Sequence, residues 1–219
     1  MPPLPEQLSK KPVGRERLSP QVIEAHQRER VLDAAVGVFA KRGYQGTTID
    51  HIVSAAKIGV GSFYSLFEGK EDCFLQAYDR IVAATWNRIE TAIPPDRPWP
   101  DQATAAMQGL LESIIADPHA ARVAIVEVQT AGPEALTRYE DTLARIAPLL
   151  RKGRAISPFA GELPATLEDA TVAGVTWLLH QRIVIGEVEE LKDLLPELAE
   201  IVIEPYIGES ADLNHRSPR

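Results

Sequence analysis

Hydroxyls, small residues and a cation lie at helical spacing between Thr47 and Phe67, in the run Thr47-Thr48-Ile49-Asp50-His51-Ile52-Val53-Ser54-Ala55-Ala56-Lys57-Ile58-Gly59-Val60-Gly61-Ser62-Phe63-Tyr64-Ser65-Leu66-Phe67. Ser, Thr and Tyr hydroxyls bond phosphate oxygens and base edges, glycine lets a backbone approach closely, and lysine neutralises phosphate. The spacing predicts a short helix from Thr47 or Thr48 to about Ala56-Lys57, a tight turn through Ile58-Gly59, and a second short helix over 60–67. Ile49, Ile52, Val53, Ala56, Phe63 and Phe67 face one small core. Val60, Gly61, Ser62, Tyr64 and Ser65 point outward, where such a helix enters a major groove. Any small three-helix packing shows the same spacing, so on pattern alone a DNA-reading and a purely structural role both stand.

Other chemistries find little support. The five histidines, His26, His51, His119, His180 and His215, have no short metal-ligand spacing, and Gly59-Val60-Gly61 lacks the third glycine of a dinucleotide fingerprint. There is no Gly-x-Ser-x-Gly elbow or Walker loop. Cys73 is the single cysteine, which rules out an intramolecular disulfide framework and a multi-cysteine metal site, and fits a cytoplasmic location. The chain is expected to be no enzyme, with no metal and no cofactor.

The elements around this run follow from periodicity and punctuation. Residues 1–18 carry four prolines and read as a flexible basic arm. Ser19-Pro20 is an N-cap followed by proline at the first helical position. Val31, Ala34, Ala35, Val38 and Phe39 then give a helical stripe, closed by Lys41, Arg42 and a C-terminal Gly43. Thr47 with Asp50 resembles a capping box. Further helices are expected at about 70–92, 100–116, 119–130, 133–153, 167–185 and 190–207, separated by Pro- and Gly-bearing breaks, although Val123-Ala124-Ile125-Val126 passes for a strand. The expected fold is all-α with about nine helices: an arm at 1–18, a three-helix domain at 19–69, a helical body at 70–207 and a tail at 208–219. No stretch reaches the apolar length of a membrane span.

Charge is asymmetric along this plan. The net charge is −8, yet residues 10–67 hold nine basic and five acidic side chains, while the chain beyond Gln76 holds 13 basic and 22 acidic ones. A cationic head on an anionic body suits a partner with phosphates.

The stretch from about Arg30 to Phe74 resembles the DNA-binding domain of the TetR family. The resemblance rests on Ala34-Ala35, Phe39, Arg42-Gly43-Tyr44, Gly46-Thr47-Thr48, Ile52, Ala55-Ala56, Gly61-Ser62-Phe63-Tyr64, Phe67 and Lys70-Glu71. It implies a regulator that binds a double-stranded, palindromic operator as a homodimer, as a ligand-responsive repressor. Thr47 and Thr48 would cap the second helix and touch phosphate. Gly59 to Ser62 would begin the recognition helix, Tyr64 would contact the DNA backbone, and Lys70 would meet a phosphate. The arm, Lys10 to Arg17, would reach a minor groove. There are departures from the family pattern. Lys57 stands where the family has a turn glycine, which implies an unusual backbone or an added phosphate contact. Gly59 replaces a polar N-cap. Val60, Gly61 and Ser65 leave the reading surface with few side chains for bidentate base contacts, so specificity falls to thymine methyls, the arm or DNA shape.

The resemblance also implies an effector pocket in the body and a dimer built on the last two helices. Trp86, Met107, His119, Arg122, Tyr139, Trp177 and His180 are the pocket candidates, for a small apolar or anionic ligand. Val172, Val175, Leu179, Leu198 and Val202 are the interface candidates. A TetR-like protein without a small-molecule effector, architectural or governed by a protein partner, is the alternative. A filled body would favour it.

Overall fold

A computed structural model describes residues 19–208. The arm with Lys10 to Arg17 and the tail from 209 lie outside the described residues. Ser19 accepts the Val22 N–H on its hydroxyl at 3.3 Å and Pro20 takes the first turn, so α1 (Pro20–Arg42) begins there. Gly43, at φ 72°, ends it by donating its N–H to the Phe39 carbonyl. Val31, Ala35 and Phe39 of α1 are wholly buried against α2 (Ile49–Ala56) and α3 (Val60–Tyr64), whose Ile52 and Phe63 are equally buried. Phe39 and Tyr44 meet Phe74 edge-on at 5.1 Å, which ties α4 (Lys70–Ala92) into this core.

That core does not stop at residue 69. It runs on through Cys73, Phe74, Ala77 and Tyr78 of α4 to Val123, Val128, Ala131 and Ala135. These belong to α6 (Pro118–Ile125), the 3₁₀ turn Glu127–Thr130, Ala131 after it, and α7 (Pro133–Ala144). A second core joins α5 (Trp99–Ala116), α9 (Leu167–Ile185) and α10 (Leu195–Ile207) through Leu111, Ile114, Val175, Leu179, Leu198 and Val202. Between 133 and 153 the expected helix is broken. α8 (Ala147–Arg151) restarts at Pro148, which has no N–H to continue α7. The expected helices 119–130 and 190–207 likewise open or close in 3₁₀ turns, Glu127–Thr130 and Glu189–Leu194. Val123 to Ile125 are helical, not a strand. The described residues thus form ten α-helices, with no strand among them. No described helix is long and apolar enough to cross a membrane.

The loop after α8 is fixed by Glu168, which is 1 % exposed. Its carboxylate accepts from Arg154 Nε and Nη2 at 2.6 and 3.0 Å and from the Tyr206 hydroxyl at 3.2 Å. Those hydrogen bonds, led by Arg154, hold the Glu168 carboxyl below its ordinary range.

Candidate nucleic-acid interface and interior cavity

Phe63 and Phe67 anchor α3 from beneath, their rings 5.2 Å apart. The opposite face is bare: Val60 is 44 % exposed and Tyr64 56 %, with Gly59, Gly61 and Ser65 open beside them and Ser62 half-buried. Tyr64 is nonetheless positioned, since its ring meets Phe63 edge-on at 5.6 Å. Ser65 donates its hydroxyl to the Ser62 carbonyl at 2.9 Å. A side-chain carbon added at Gly59 or Gly61 would meet nothing within 4 Å, so neither glycine is demanded by the protein's own packing. Gly46 differs, because there an added carbon would fall 2.4 Å from the Arg42 carbonyl.

The α2 cap differs from the expected one. Thr48, not Thr47, is the N-cap, and the partner is His51 rather than Asp50: the His51 N–H donates to Thr48 Oγ1 at 3.3 Å and the Thr48 N–H donates to His51 Nδ1 at 3.2 Å. Thr47 is buried and donates its hydroxyl to the Gly43 carbonyl at 2.7 Å, which removes it from the phosphate-facing set. At the other end of α2, Lys57 is left-handed (φ 56°, ψ 49°) and exposed. It therefore takes glycine's conformation without being glycine.

Three cations of the head and its junction brace the fold. Arg28 donates to the Leu66 carbonyl at 2.6 Å and lies over the Phe67 ring. Arg30 donates to the Ala56 carbonyl at 3.3 Å, at the C-terminus of α2, where positive charge suits the helix dipole. Lys70 donates to the Tyr44 and Thr47 carbonyls, each at 3.0 Å, and sits 4.1 Å above the Tyr44 ring. Two of its three N–H donors are thus used inside the head, which leaves one for the expected phosphate.

The joint to the body is also built on this loop. Glu127, buried, accepts the Tyr44 N–H at 3.0 Å and Arg122 Nε at 3.2 Å, and Gln45 donates to the Thr130 carbonyl at 2.8 Å. A second link runs from α4 to α1, where Arg80 lies 2.8 Å from both Glu29 and Asp33. No periodicity signals Glu127 or Arg80, because each pairs with residues far away in sequence.

A cavity of about 550 Å³ lies among α4, α5, α6, α7, α8, α9 and α10. Of the candidate pocket residues, Trp86, Met107 and Tyr139 line it. His119 is exposed, and Arg122 is committed to Glu127. Trp177, 61 % exposed, points out of the fold, and His180 is half-buried off the wall. These four are corrections. The expected interface residues are corrected too: Val172, Val175, Leu179 and Val202 line the cavity, and Leu198 is 1 % exposed in the second core. What α9 and α10 turn outward is Trp177, Val184, Ile185, Ile201 and Ile207. The reason is that α9 is apolar on nearly every side, so its pattern marks no inner face.

With this geometry in place, known proteins provide a comparison. Residues 31–77 match the model described as bacterial regulatory proteins, tetR family. The chain is 28% identical over 82 residues to the uncharacterized HTH-type transcriptional regulator YhgD of Bacillus subtilis, a stretch that is 37% of this chain and 43% of that protein. It is 36% identical over 76 residues to the HTH-type transcriptional repressor NicS of Pseudomonas putida, 35% of each. The chain thus spans less than half the length of the curated relatives it matches. A likeness of fold extends further. The transcriptional regulator FadR of Bacillus subtilis, solved in complex with stearoyl-CoA, matches with a TM-score of 0.66 at 17% identity, covering 81% of this chain and 98% of that one. Through its residues 31–77, the chain is similar to the tetR family of bacterial regulatory proteins.

Proposed function

We propose that the protein is a cytoplasmic transcriptional regulator, a repressor that binds a palindromic operator as a homodimer and responds to a small molecule. The observation that carries the DNA-binding part is the face of α3: an anchored helix with Gly59, Val60, Gly61, Tyr64 and Ser65 exposed and two glycines that the fold does not require. Thr48 and the cation of Lys57 are exposed as well, and Ser62 and Lys70 are half-buried. The exposed apolar residues of α9 and α10 support self-association, since a second copy laid across them would form a four-helix bundle.

The cavity favours the ligand-responsive reading over an architectural one, which a filled body would suit. In this reading a ligand changes the separation of the two recognition helices, and does so only by binding the two states with different affinity. The fold neighbour solved with stearoyl-CoA supports a body of this kind holding an effector. A footprint on the DNA upstream of the protein's own gene tests the proposal. Two protected half-sites related by a two-fold, centred a whole number of helical turns apart, are expected. Uniform protection without half-sites would overturn operator reading in favour of an architectural role.

A further inference from the structure

We infer that the interior cavity selects an uncharged, hydrocarbon-like ligand and rejects one that must bury a net charge, although cations stand in its wall. The inference rests on the ligand-responsive reading and decides between an apolar and an anionic effector.

Small residues make the space: Ala84, Ala103, Ala106, Ala120, Ala121 and Ala124 line the cavity where larger side chains would close it. At about 550 Å³ it falls within the size of sites for small organic ligands. Each charged residue of the wall is either neutralised or faces solvent. Arg80 has two carboxylates, Glu29 and Asp33, at 2.8 Å. Arg88 is exposed and donates to the Glu112 carbonyl at 3.3 Å. Asp117 is exposed and caps Ala120, and Lys152 is exposed.

The neutral polar groups largely satisfy one another. Thr85 and Ser113 share a hydrogen bond of 3.2 Å. Tyr78 donates to Thr142 at 2.9 Å, and Gln102 donates to the Pro95 and Arg97 carbonyls. Burial pushes the Tyr78 phenol up to about 12 and raises that of Tyr139, so both stay protonated. An anion driven deep into this space would meet hydroxyls and methyl groups, since the wall cations without a carboxylate partner, Arg88 and Lys152, face solvent, and a buried unpaired charge is costly.

Displacement of the neutral fluorophore N-phenyl-1-naphthylamine from the full chain tests this, with 1-alkanols and alkanoates of matched length as competitors at neutral pH. Alkanol affinity should rise about fourfold per added methylene until the cavity is full. Each alkanoate should bind at least about tenfold more weakly than its alkanol, the cost of leaving its charge unpaired or its chain less deeply seated. Alkanoates binding as tightly as alkanols, or alkanols showing no chain-length dependence, would overturn the inference. Met107→Trp and Ala106→Phe, each checked for helix content and melting, should lose the probe. Retention of the probe by both folded variants would place it on the exposed apolar surface and overturn the cavity as its site. Adding the tightest alkanol to the protein–DNA complex separates the two readings. Binding in the cavity without any effect on DNA would contradict the ligand-responsive reading and leave the selectivity intact. No binding, with DNA affinity unimpaired, would contradict the selectivity alone.

Discussion

Gly61 and Lys57 are both exposed and break opposite rules, which makes them the sharpest residue-level tests. Gly61 is inside a helix with empty space where a side chain would go. Gly61→Ala should therefore leave the fold intact and raise stability by about 0.5–1 kcal/mol, the helix cost of glycine. If the backbone at Gly61 lies against DNA, the same methyl lowers operator affinity by at least about tenfold, since one steric clash of order 1.4 kcal/mol is tenfold. Fluorescence anisotropy and thermal melts measure both, and unchanged affinity would remove Gly61 from the interface. Lys57 has the reverse character. A left-handed residue with a side chain costs about 1–2 kcal/mol relative to glycine. Lys57→Gly should stabilise the protein by about that amount. If Lys57 holds a phosphate, the slope of log affinity against log salt should become shallower by about 0.9 per protomer, or about 1.8 for the dimer. A stabilised variant with an unchanged slope would mean that Lys57 touches no phosphate.

Elements were legible in the sequence where one face is buried and the other wet, or where a cap residue has only one use. Ser19-Pro20 and Gly43 bound α1 as their chemistry dictates, and the stripe Ile52, Val53 and Ala56 gives α2 its inner side. The α2 cap was misassigned by one residue, because Thr47 and Thr48 carry the same hydroxyl and only the fold shows which one is pulled inward toward Gly43. α9 was placed correctly in the chain but turned the wrong way: Val175 and Leu179 face inward while Trp177 faces out, and a helix apolar all round has no pattern to reveal this. Pairings across long stretches, such as Glu127 with Tyr44, leave no local trace at all. One such pairing, Arg154 with Glu168, has a pH signature. The Glu168 carboxyl is held below its ordinary value, so its contribution to stability is complete above the unfolded carboxylate range and is lost as pH falls through the lower folded value. Glu168→Gln should melt at a lower temperature than the wild type at neutral pH, and the gap should shrink in acid. A gap that stays constant with pH would show that Glu168 contributes packing rather than charge.

At the scale of the molecule, a head with exposed glycines and a body with a cavity share α4 and one continuous core, so a change in the body has a rigid route to the recognition face. Two such heads read an operator only if the chains pair. The outward Trp177, Val184 and Ile185 of α9 give the proposed pairing an exposed apolar surface. Trp177→Glu should shift the protein from dimer to monomer in light scattering, and a dimer of unchanged stability would place the interface elsewhere. Operator recognition itself is tested most directly by titrating the purified protein with its upstream DNA and with a scrambled duplex of equal length, across a series of salt concentrations. Specific binding should be about 10³-fold or more tighter than to the scrambled duplex. Both affinities should fall steeply with salt. Equal affinity for the two duplexes would contradict sequence reading by α3.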